Sequence, residues 1–289
     1  LLPGRKPVAF ALRLYSQRMI WALRAIAGVK IDLKGQENLP QGAFIIAAKH
    51  HSWGDGFVMF ANVENLSFVT GDHLEKFPLV GTILKKLGAI VVDSCGAREA
   101  RKALSDSAAQ VAAEGRRILI YPEGHLAAPG ERFRYRTGVY HMSQDFGLPV
   151  VPVATNLGCF WKQQDKAKTA GQATVEFLPP ILPGLSKSEF MARMEDVIET
   201  RTNQLIAQAR GEAVKPSVLV EWNGRKNVAS AATWASPAPW PPHRKRPPGL
   251  SQPPKGCAVC CSWSAAPSCF ISTCSMASPR AMRAAWTTR

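Results

Sequence analysis

The chain of 289 residues is 46% hydrophobic, which is enough for one sizeable buried core and excludes more than two. Its formal charge is +15, but residues 215–289 hold ten of the 36 Lys and Arg residues and one of the 21 acidic ones, so residues 1–214 carry +6. This moderate positive charge suits an anionic partner such as a phosphate, a nucleotide carrier or a membrane surface. Since no apolar run reaches about 18 residues and only Cys95 and Cys159 precede residue 215, the sequence predicts neither a transmembrane span nor a disulfide framework in the folded part.

The N-terminal segment, residues 1–28, is predicted to form an amphipathic helix that associates with a membrane. Its apolar and aromatic residues are mixed with arginines, namely Phe10, Leu12, Leu14, Ile20, Trp21, Leu23 and Ile26 with Arg13, Arg18 and Arg24. A basic helix with Trp and Leu on its apolar side can lie in a membrane interface, because the long arginine side chains reach toward the headgroups. The alternative is a helix that packs only against its own domain.

Residues 29–214 are predicted to form an α/β domain, with a mostly parallel sheet flanked by helices. Seven β-branched or apolar runs indicate buried strands: VKIDL, AFIIAA, LSFVT, AIVVD, RILIYP, PVVPVAT and ATVEFLP. Helical stretches alternate with these runs, which favours a parallel sheet covered on both faces. One helix is predicted after Asp93, and the last helix begins at Ser186, which has the spacing of a capping box with Glu189.

The C-terminal segment, residues 215–289, is predicted to be a disordered tail rich in Pro, Ser and Cys. It holds 11 of the 22 prolines and shows neither a helical nor a strand period, so it has no means of building a ladder or a packed helix. A zinc site is the alternative, with irregularly spaced ligands at Cys257, Cys260, Cys269 and Cys274.

A candidate acid–base pair follows the second predicted strand, in FIIAAKHHSWGDGF. On a regular helix His50 and Asp55 would lie about 140° apart, so they can meet only across a strand-to-helix turn, which Gly54 makes possible. The carboxyl end of a parallel strand is where open α/β sheets bind their ligands. There Asp55 would hold one imidazole nitrogen of His50 and leave the other to accept a proton.

Two alternatives remain for this segment. His50 can be a surface histidine beside a helix-capping Asp55. A metal site with His50, His51 and Asp55 as ligands is the second alternative, although no further cluster of His, Cys or Glu at ligand spacing accompanies them.

A second candidate region follows the strand in ILIYPEGHLAAPGERFRYRTG. Its loop carries three arginines, Arg132, Arg134 and Arg136, and a planar guanidinium can bind two phosphate oxygens at once. The loop therefore suits a phosphate clamp, with solvated arginines as the alternative. The next strand, PVVPVATN, is expected to bring Pro152 and Asn156 to the same edge of the sheet.

These motifs together resemble the 1-acylglycerol-3-phosphate acyltransferase family, within the wider glycerolipid acyltransferase superfamily. AAKHHSWGD is similar to the first motif of that family, H-x-x-x-x-D, through His50 and Asp55. YPEGHL resembles the third motif, usually F-P-E-G-T-R, and VVPVATNLGCFW resembles the fourth. The second motif is matched in LEKFPLVGTILKKLGAIVVD by Lys76, Pro78, Gly81 and Gly88. The resemblance spans about Tyr15 to Ala209.

The resemblance implies a membrane-associated enzyme at the cytoplasmic face of the inner (plasma) membrane. Its implied substrates are a lysophospholipid acceptor and acyl-CoA or acyl-carrier protein as donor, with no metal, redox cofactor or nucleic acid. His50 would be the general base that removes the proton from the acceptor hydroxyl, oriented by Asp55. The implied substrate-binding residues are Lys76, Glu123, Gly124, Arg132, Arg134, Arg136 and Pro152.

Two departures from the family pattern concern the acceptor. Ser94 stands where the family has Arg after the Asp of its second motif, and His125 and Leu126 stand where it has Thr and Arg after Glu-Gly. The arginines of the family are implicated in gripping the phosphate of the acceptor, so Lys76, Arg98, Arg101 or the loop arginines would have to replace them. An acceptor without a phosphomonoester, such as a lyso-ornithine lipid, is the alternative, and a noncatalytic lipid-binding homologue is another.

Overall fold

The computed structural model describes residues 4–71, 80–92, 99–162 and 167–221, without the side chains of residues 99–104. All of these residues belong to one compact unit of the chain, Leu1–Ser236. Some of the residues and segments considered above lie outside the described residues, namely Lys76, Pro78, Ser94, Arg98, the side chain of Arg101 and the tail beyond Glu221.

The described residues form nine strands: β1 (Val29–Lys34), β2 (Ile45–Ala48), β3 (Leu66–Gly71), β4 (Ile90–Val92), β5 (Arg117–Ile120), β6 (Glu131–Arg132), β7 (Val150–Thr155), β8 (Gly171–Phe177) and β9 (Val218–Leu219). Seven of them form one sheet in the order β1-β8-β7-β2-β5-β3-β4. Every neighbouring pair in this sheet is parallel except β7 and β8. Each of the seven predicted runs overlaps one of these seven strands, so the predicted mostly parallel α/β fold is confirmed.

Seven α-helices accompany the strands in the described part of the chain: α1 (Arg5–Ala27), α2 (Gly54–Asn62), α3 (Val80–Leu87), α4 (Glu99–Ala113), α5 (Gly138–Phe146), α6 (Leu157–Phe160) and α7 (Lys187–Arg210). A short 3-10 helix, Gln36–Asn38, follows β1. Helix α7 begins where the sequence predicts, because Ser186 and Glu189 form a capping box. The helices lie on both sides of the sheet, so both faces of the sheet are covered.

Strand β2 shows how the sheet joins the two halves of the core. Ile46 and Ala48 pack with residues of α1 and α2, whereas Ile45 and Ala47 pack with residues of α4, α5 and α7. All four side chains are buried because successive residues of a strand point to opposite faces and both faces are covered. The carboxyl end of β2 is thereby held rigidly at the centre of the sheet.

Helix α1 packs on the domain and also exposes apolar surface. Leu23 is buried, and Arg5 and Arg13 form ion pairs with Glu114 and Glu64 of the domain. The exposed apolar and aromatic side chains of the helix are Phe10, Leu14, Tyr15, Trp21 and Ile26. Among the described residues, no helix combines the length and the hydropathy that crossing a bilayer requires. Helix α1 therefore has contacts that suit packing on its own domain and exposed apolar side chains that suit association with a membrane.

Residues beyond the predicted boundary at residue 215 contact the loop that follows β5. Strand β9 pairs with β6 in parallel, and the amide of Val220 donates a hydrogen bond to the carbonyl oxygen of Arg132. Because β6 lies in the loop that follows β5, residues 216–221 are attached to the loop that carries the predicted phosphate clamp.

Candidate active site

The His50 and Asp55 side chains meet in the turn between β2 and α2. His50 lies two residues beyond the end of β2, and Asp55 lies in the first turn of α2. The distance between His50 Nδ1 and Asp55 Oδ2 is 3.0 Å. Gly54 is needed here for close packing and not for its backbone angles, since a Cβ atom at this position would lie 2.6 Å from the ring of Trp161.

The Asp55 carboxylate is fixed by the backbone of the same turn. Its Oδ2 atom accepts hydrogen bonds from the amides of His51 and Ser52, both at 2.8 Å. Asp55 is buried, whereas one fifth of the His50 side chain is exposed. An ionised carboxylate only accepts hydrogen bonds, so a neutral His50 paired with ionised Asp55 would donate through Nδ1 and leave a free lone pair on Nε2. The pair can therefore accept a proton from an incoming group.

Tyr121, directly after β5, stacks on the His50 ring. The two ring centroids are 3.9 Å apart and the planes differ by 18°. Burial, and then the nearby Asp55, raise the pKa of the Tyr121 phenol well above its usual value, so the hydroxyl stays protonated. The sequence prediction gave this residue no role, although its place immediately before the Pro-Glu-Gly triplet marks the strand end where ligands are expected.

The loop after Tyr121 is attached to the His50 segment. The amide of Ala127 donates to the carbonyl oxygen of His50 at 2.9 Å. Gly124 has a φ of +69°, and a Cβ atom on it would lie 2.9 Å from the Nε atom of Arg136. Arg136 also approaches His125, with Nη2 and Nε2 3.3 Å apart, and burial followed by this guanidinium lowers the pKa of the His125 imidazole. Arg136 is thus a cation on the loop that contacts the His50 backbone.

The other two loop arginines face a different part of the protein. Arg132 forms an ion pair with Glu195 of α7. Arg134 lines an open pocket with Lys187 and Ser188 at the beginning of the same helix. The three arginines therefore do not form one cluster, and their roles in binding phosphate stay predictions.

Glu123 and Pro152 are both placed inside the protein. The Glu123 side chain is fully buried, and its Oε2 atom lies 3.1 Å from the Nζ atom of Lys49, which is equally buried. Burial raises the pKa of the Glu123 carboxyl, and the Lys49 charge opposes this shift. Pro152 is buried in β7 opposite Ala47. Neither side chain offers an exposed surface, and their predicted contacts with substrate stay predictions.

Comparisons with known proteins agree with this architecture. The model of the Acyltransferase family matches residues 30–156. The 1-acyl-sn-glycerol-3-phosphate acyltransferase of Pseudomonas aeruginosa is 30% identical over 224 residues, which cover 76% of this chain and 87% of that protein. The chain belongs to the 1-acyl-sn-glycerol-3-phosphate acyltransferase family. Its members are acyltransferases of phospholipid biosynthesis, and the resemblance inferred from the sequence motifs is confirmed.

Two further members of this family extend the comparison. The 1-acyl-sn-glycerol-3-phosphate acyltransferase of Saccharomyces cerevisiae is 23% identical over 209 residues, 69% of each chain. The crystal structure of the 1-acyl-sn-glycerophosphate (LPA) acyltransferase from Thermotoga maritima matches with a TM-score of 0.59 and 22% identity, over 70% of this chain and 81% of that chain. The structural match supports the family fold.

Proposed function

We propose that this acyltransferase moves a fatty acyl group from acyl-CoA or acyl-carrier protein to the sn-2 hydroxyl of 1-acylglycerol-3-phosphate, making phosphatidate. The observation that carries the proposal is the His50 and Asp55 pair, joined at 3.0 Å in a chain whose relatives bear the name of this activity. The His50 imidazole, one fifth of whose side chain is exposed, supplies the base that a hydroxyl needs before it can attack a thioester.

In the proposed mechanism His50 Nε2 takes the proton from the acceptor hydroxyl as the oxygen attacks the thioester carbonyl carbon. The tetrahedral intermediate then collapses, the carbon–sulfur bond breaks, and the leaving thiolate receives the proton from the His50 imidazolium. Asp55 stabilises the imidazolium between the two steps. The reaction balances without a metal ion or a redox cofactor. Removal of the base is expected to cost about 10²- to 10⁴-fold in rate.

Arg136 is the proposed partner of the acceptor phosphate. It lies over Gly124 on the loop that contacts the His50 backbone, whereas Arg132 is paired with Glu195. A guanidinium can bind two phosphate oxygens at once, which compensates for Leu126 at the position where the family has an arginine.

The proposal places the enzyme on the cytoplasmic face of the inner membrane. Trp21 and Ile26 of α1 are 64% and 85% exposed, and Trp53, beside the catalytic turn, is 51% exposed. Exposed Trp side chains favour the interface between headgroups and acyl chains, and an apolar side chain such as Ile26 can be buried beside them. If these side chains lay in the membrane interface, a lipid acceptor could reach His50 directly from the bilayer.

An acyl-transfer assay with a panel of lysolipids tests the proposal. The purified chain is supplied with acyl-CoA or acyl-carrier protein and with lysophosphatidate, lysophosphatidylcholine or a lyso-ornithine lipid, and the products are identified by mass spectrometry. We expect phosphatidate from lysophosphatidate, and none from the His50→Ala variant. Transfer only to the lyso-ornithine lipid would replace the acceptor and keep the chemistry, in line with the departures at His125 and Leu126. A wild-type chain inactive on every acceptor would support a noncatalytic lipid-binding protein.

A further inference from the structure

A fully buried lysine precedes the proposed catalytic histidine in the chain. Lys49 Nζ donates to Glu199 Oε1 at 2.7 Å, to Glu123 Oε2 at 3.1 Å and to the carbonyl oxygen of Glu131 at 3.2 Å. Its side chain has no exposed surface. These three acceptors occupy the three donor positions of the ammonium group. Since His50 is the next residue, the position of its backbone depends on how firmly Lys49 is held.

Glu199 joins Lys49 to parts of the chain that are distant in sequence. It lies on α7 and is almost completely buried. Its Oε1 atom also accepts a hydrogen bond from the Tyr135 hydroxyl at 2.8 Å, and its Oε2 atom accepts one from the Ser217 hydroxyl at 2.6 Å. Burial, followed by the Glu123 and Glu199 carboxylates, raises the pKa of the Tyr135 phenol, which therefore remains a donor.

Glu123 makes the second connection between this cluster and the site. Its Oε2 atom accepts hydrogen bonds from Lys49 and from the amide of Phe133 at 2.8 Å. Glu123 lies two residues after Tyr121, the residue whose ring stacks on His50. Lys49 therefore ties both strand ends that contact the imidazole, the end of β2 and the end of β5, to one buried ionic cluster.

We propose that Glu199 is a positioning residue for acyl transfer, which holds the His50 imidazole in its reactive place through Lys49 and the Glu123 loop. The inference rests on the proposed role of His50 as the base. Glu199 is shielded from substrate, so it acts on the geometry of the base and not on binding. Small displacements of a catalytic group have large effects, since a shift of about 1 Å can slow a reaction about 100-fold.

The Glu199→Gln variant tests the proposal, because it keeps the size of the side chain and removes the charge that holds Lys49. We expect kcat to fall about 10- to 100-fold while the KM values of both substrates change by less than about threefold. The matched control is Asp196→Asn, which makes the same charge change on the exposed face of α7, where Asp196 accepts a hydrogen bond from Thr200. It should leave kcat unchanged.

A spectroscopic measurement separates positioning from a purely structural role. We expect the Nδ1 proton of His50, hydrogen bonded to Asp55, to give a downfield resonance in the wild-type spectrum, and this signal should shift or broaden in Glu199→Gln. A variant with a lower melting temperature but an unchanged kcat and an unchanged His50 signal would overturn the proposal. The spectrum requires no turnover, so it remains informative even if the wild-type chain transfers no acyl group to lysophosphatidate.

Milder variants serve if Glu199→Gln does not fold. Tyr135→Phe and Ser217→Ala each remove one hydrogen bond to Glu199 and leave the buried charges paired. Each should lower kcat about two- to tenfold without raising either KM, and the double variant should have a larger effect than either single one. Wild-type kcat in both variants, with an unmoved His50 resonance, would contradict the proposal equally.

Discussion

The phenol ring of Tyr121 lies nearly parallel to the imidazole of His50, with ring centroids 3.9 Å apart. This contact places a π face against the ring that becomes positively charged when the proposed base accepts a proton. A cation over an aromatic face is stabilised by about 0.5–2 kcal/mol, depending on how far it is removed from water. The stacking therefore orients the His50 ring.

The stacking predicts different effects for two substitutions of Tyr121. Tyr121→Phe keeps the ring, and Phe is the usual residue of the family at this place, so kcat should stay within about twofold of wild type. Tyr121→Leu removes the π face, and kcat should fall about 5- to 30-fold, as a loss of roughly 1–2 kcal/mol implies. Steady-state kinetics on both variants measure the difference. Equal rates for Leu and Phe would show that the contact contributes only packing.

The hydrogen bonds of Asp55 predict separate effects on rate and stability. Asp55→Asn keeps an oxygen for the amides of His51 and Ser52 but does not stabilise an imidazolium, so kcat should fall roughly 10²- to 10⁴-fold with little loss of stability. Asp55→Ala also leaves both amides without their acceptor, and its free energy of unfolding should drop by a further 1–3 kcal/mol or so. Steady-state kinetics measure the effect of each variant on kcat, and denaturant unfolding measures its effect on the free energy of unfolding. Wild-type turnover in Asp55→Asn would remove Asp55 from the mechanism.

The separation of the loop arginines predicts that one of them dominates acceptor binding. Arg136→Ala should raise the KM for lysophosphatidate about 10- to 150-fold and leave the donor KM unchanged, because a charge-assisted contact contributes about 1.5–3 kcal/mol. Arg132→Ala and Arg134→Ala are the controls, since these side chains face α7. Kinetics with saturating donor and varied acceptor measure all three. An unchanged acceptor KM in Arg136→Ala would reject the proposed phosphate contact.

Buried His51 predicts a loss of stability in mild acid. Burial, followed by the charges of Lys49 and His50, lowers the pKa of this imidazole well below its usual value, so the ring is neutral in the folded protein. In the unfolded chain the His51 imidazole takes a proton below about pH 6.5. Its contribution to the free energy of unfolding is therefore complete above that pH and decreases as the pH falls, by about 1.4 kcal/mol per pH unit at most. Denaturant unfolding of wild type and His51→Gln at pH 7.5, 6 and 5 isolates this effect. Parallel pH profiles would contradict it.

The contacts of β9 refine where the chain can be shortened. A chain that ends at Glu221 keeps β9 and the hydrogen bond from Ser217 to Glu199, and turnover on detergent-dispersed substrate should match wild type. A chain that ends at residue 214 loses both, and its free energy of unfolding should be lower by about 1.5–3 kcal/mol. Activity and thermal unfolding of the two chains provide the test. Equal stability would place the domain boundary at residue 215, as the sequence alone suggests.

Local patterns in the sequence determined the strands, the beginning of α7 and the candidate base. Each of these depends on residues close together in the chain: an apolar run, the spacing of Ser186 and Glu189, and the five positions from His50 to Asp55. Strand propensity, helix capping and a single turn act over a few residues, so their physical causes are visible before the chain is folded.

Only the tertiary structure decided which groups surround the base. Lys49 meets Glu123 and Glu199, 74 and 150 residues further along the chain, and Tyr121 reaches His50 because β2 and β5 are neighbours. Tertiary contacts also separate two arginines that are close in sequence, because Arg136 lies over Gly124 whereas Arg132 pairs with Glu195 of α7. Such contacts follow from the burial of charges against partners on distant elements, and burial is a property of the packed chain that no local pattern in the sequence encodes.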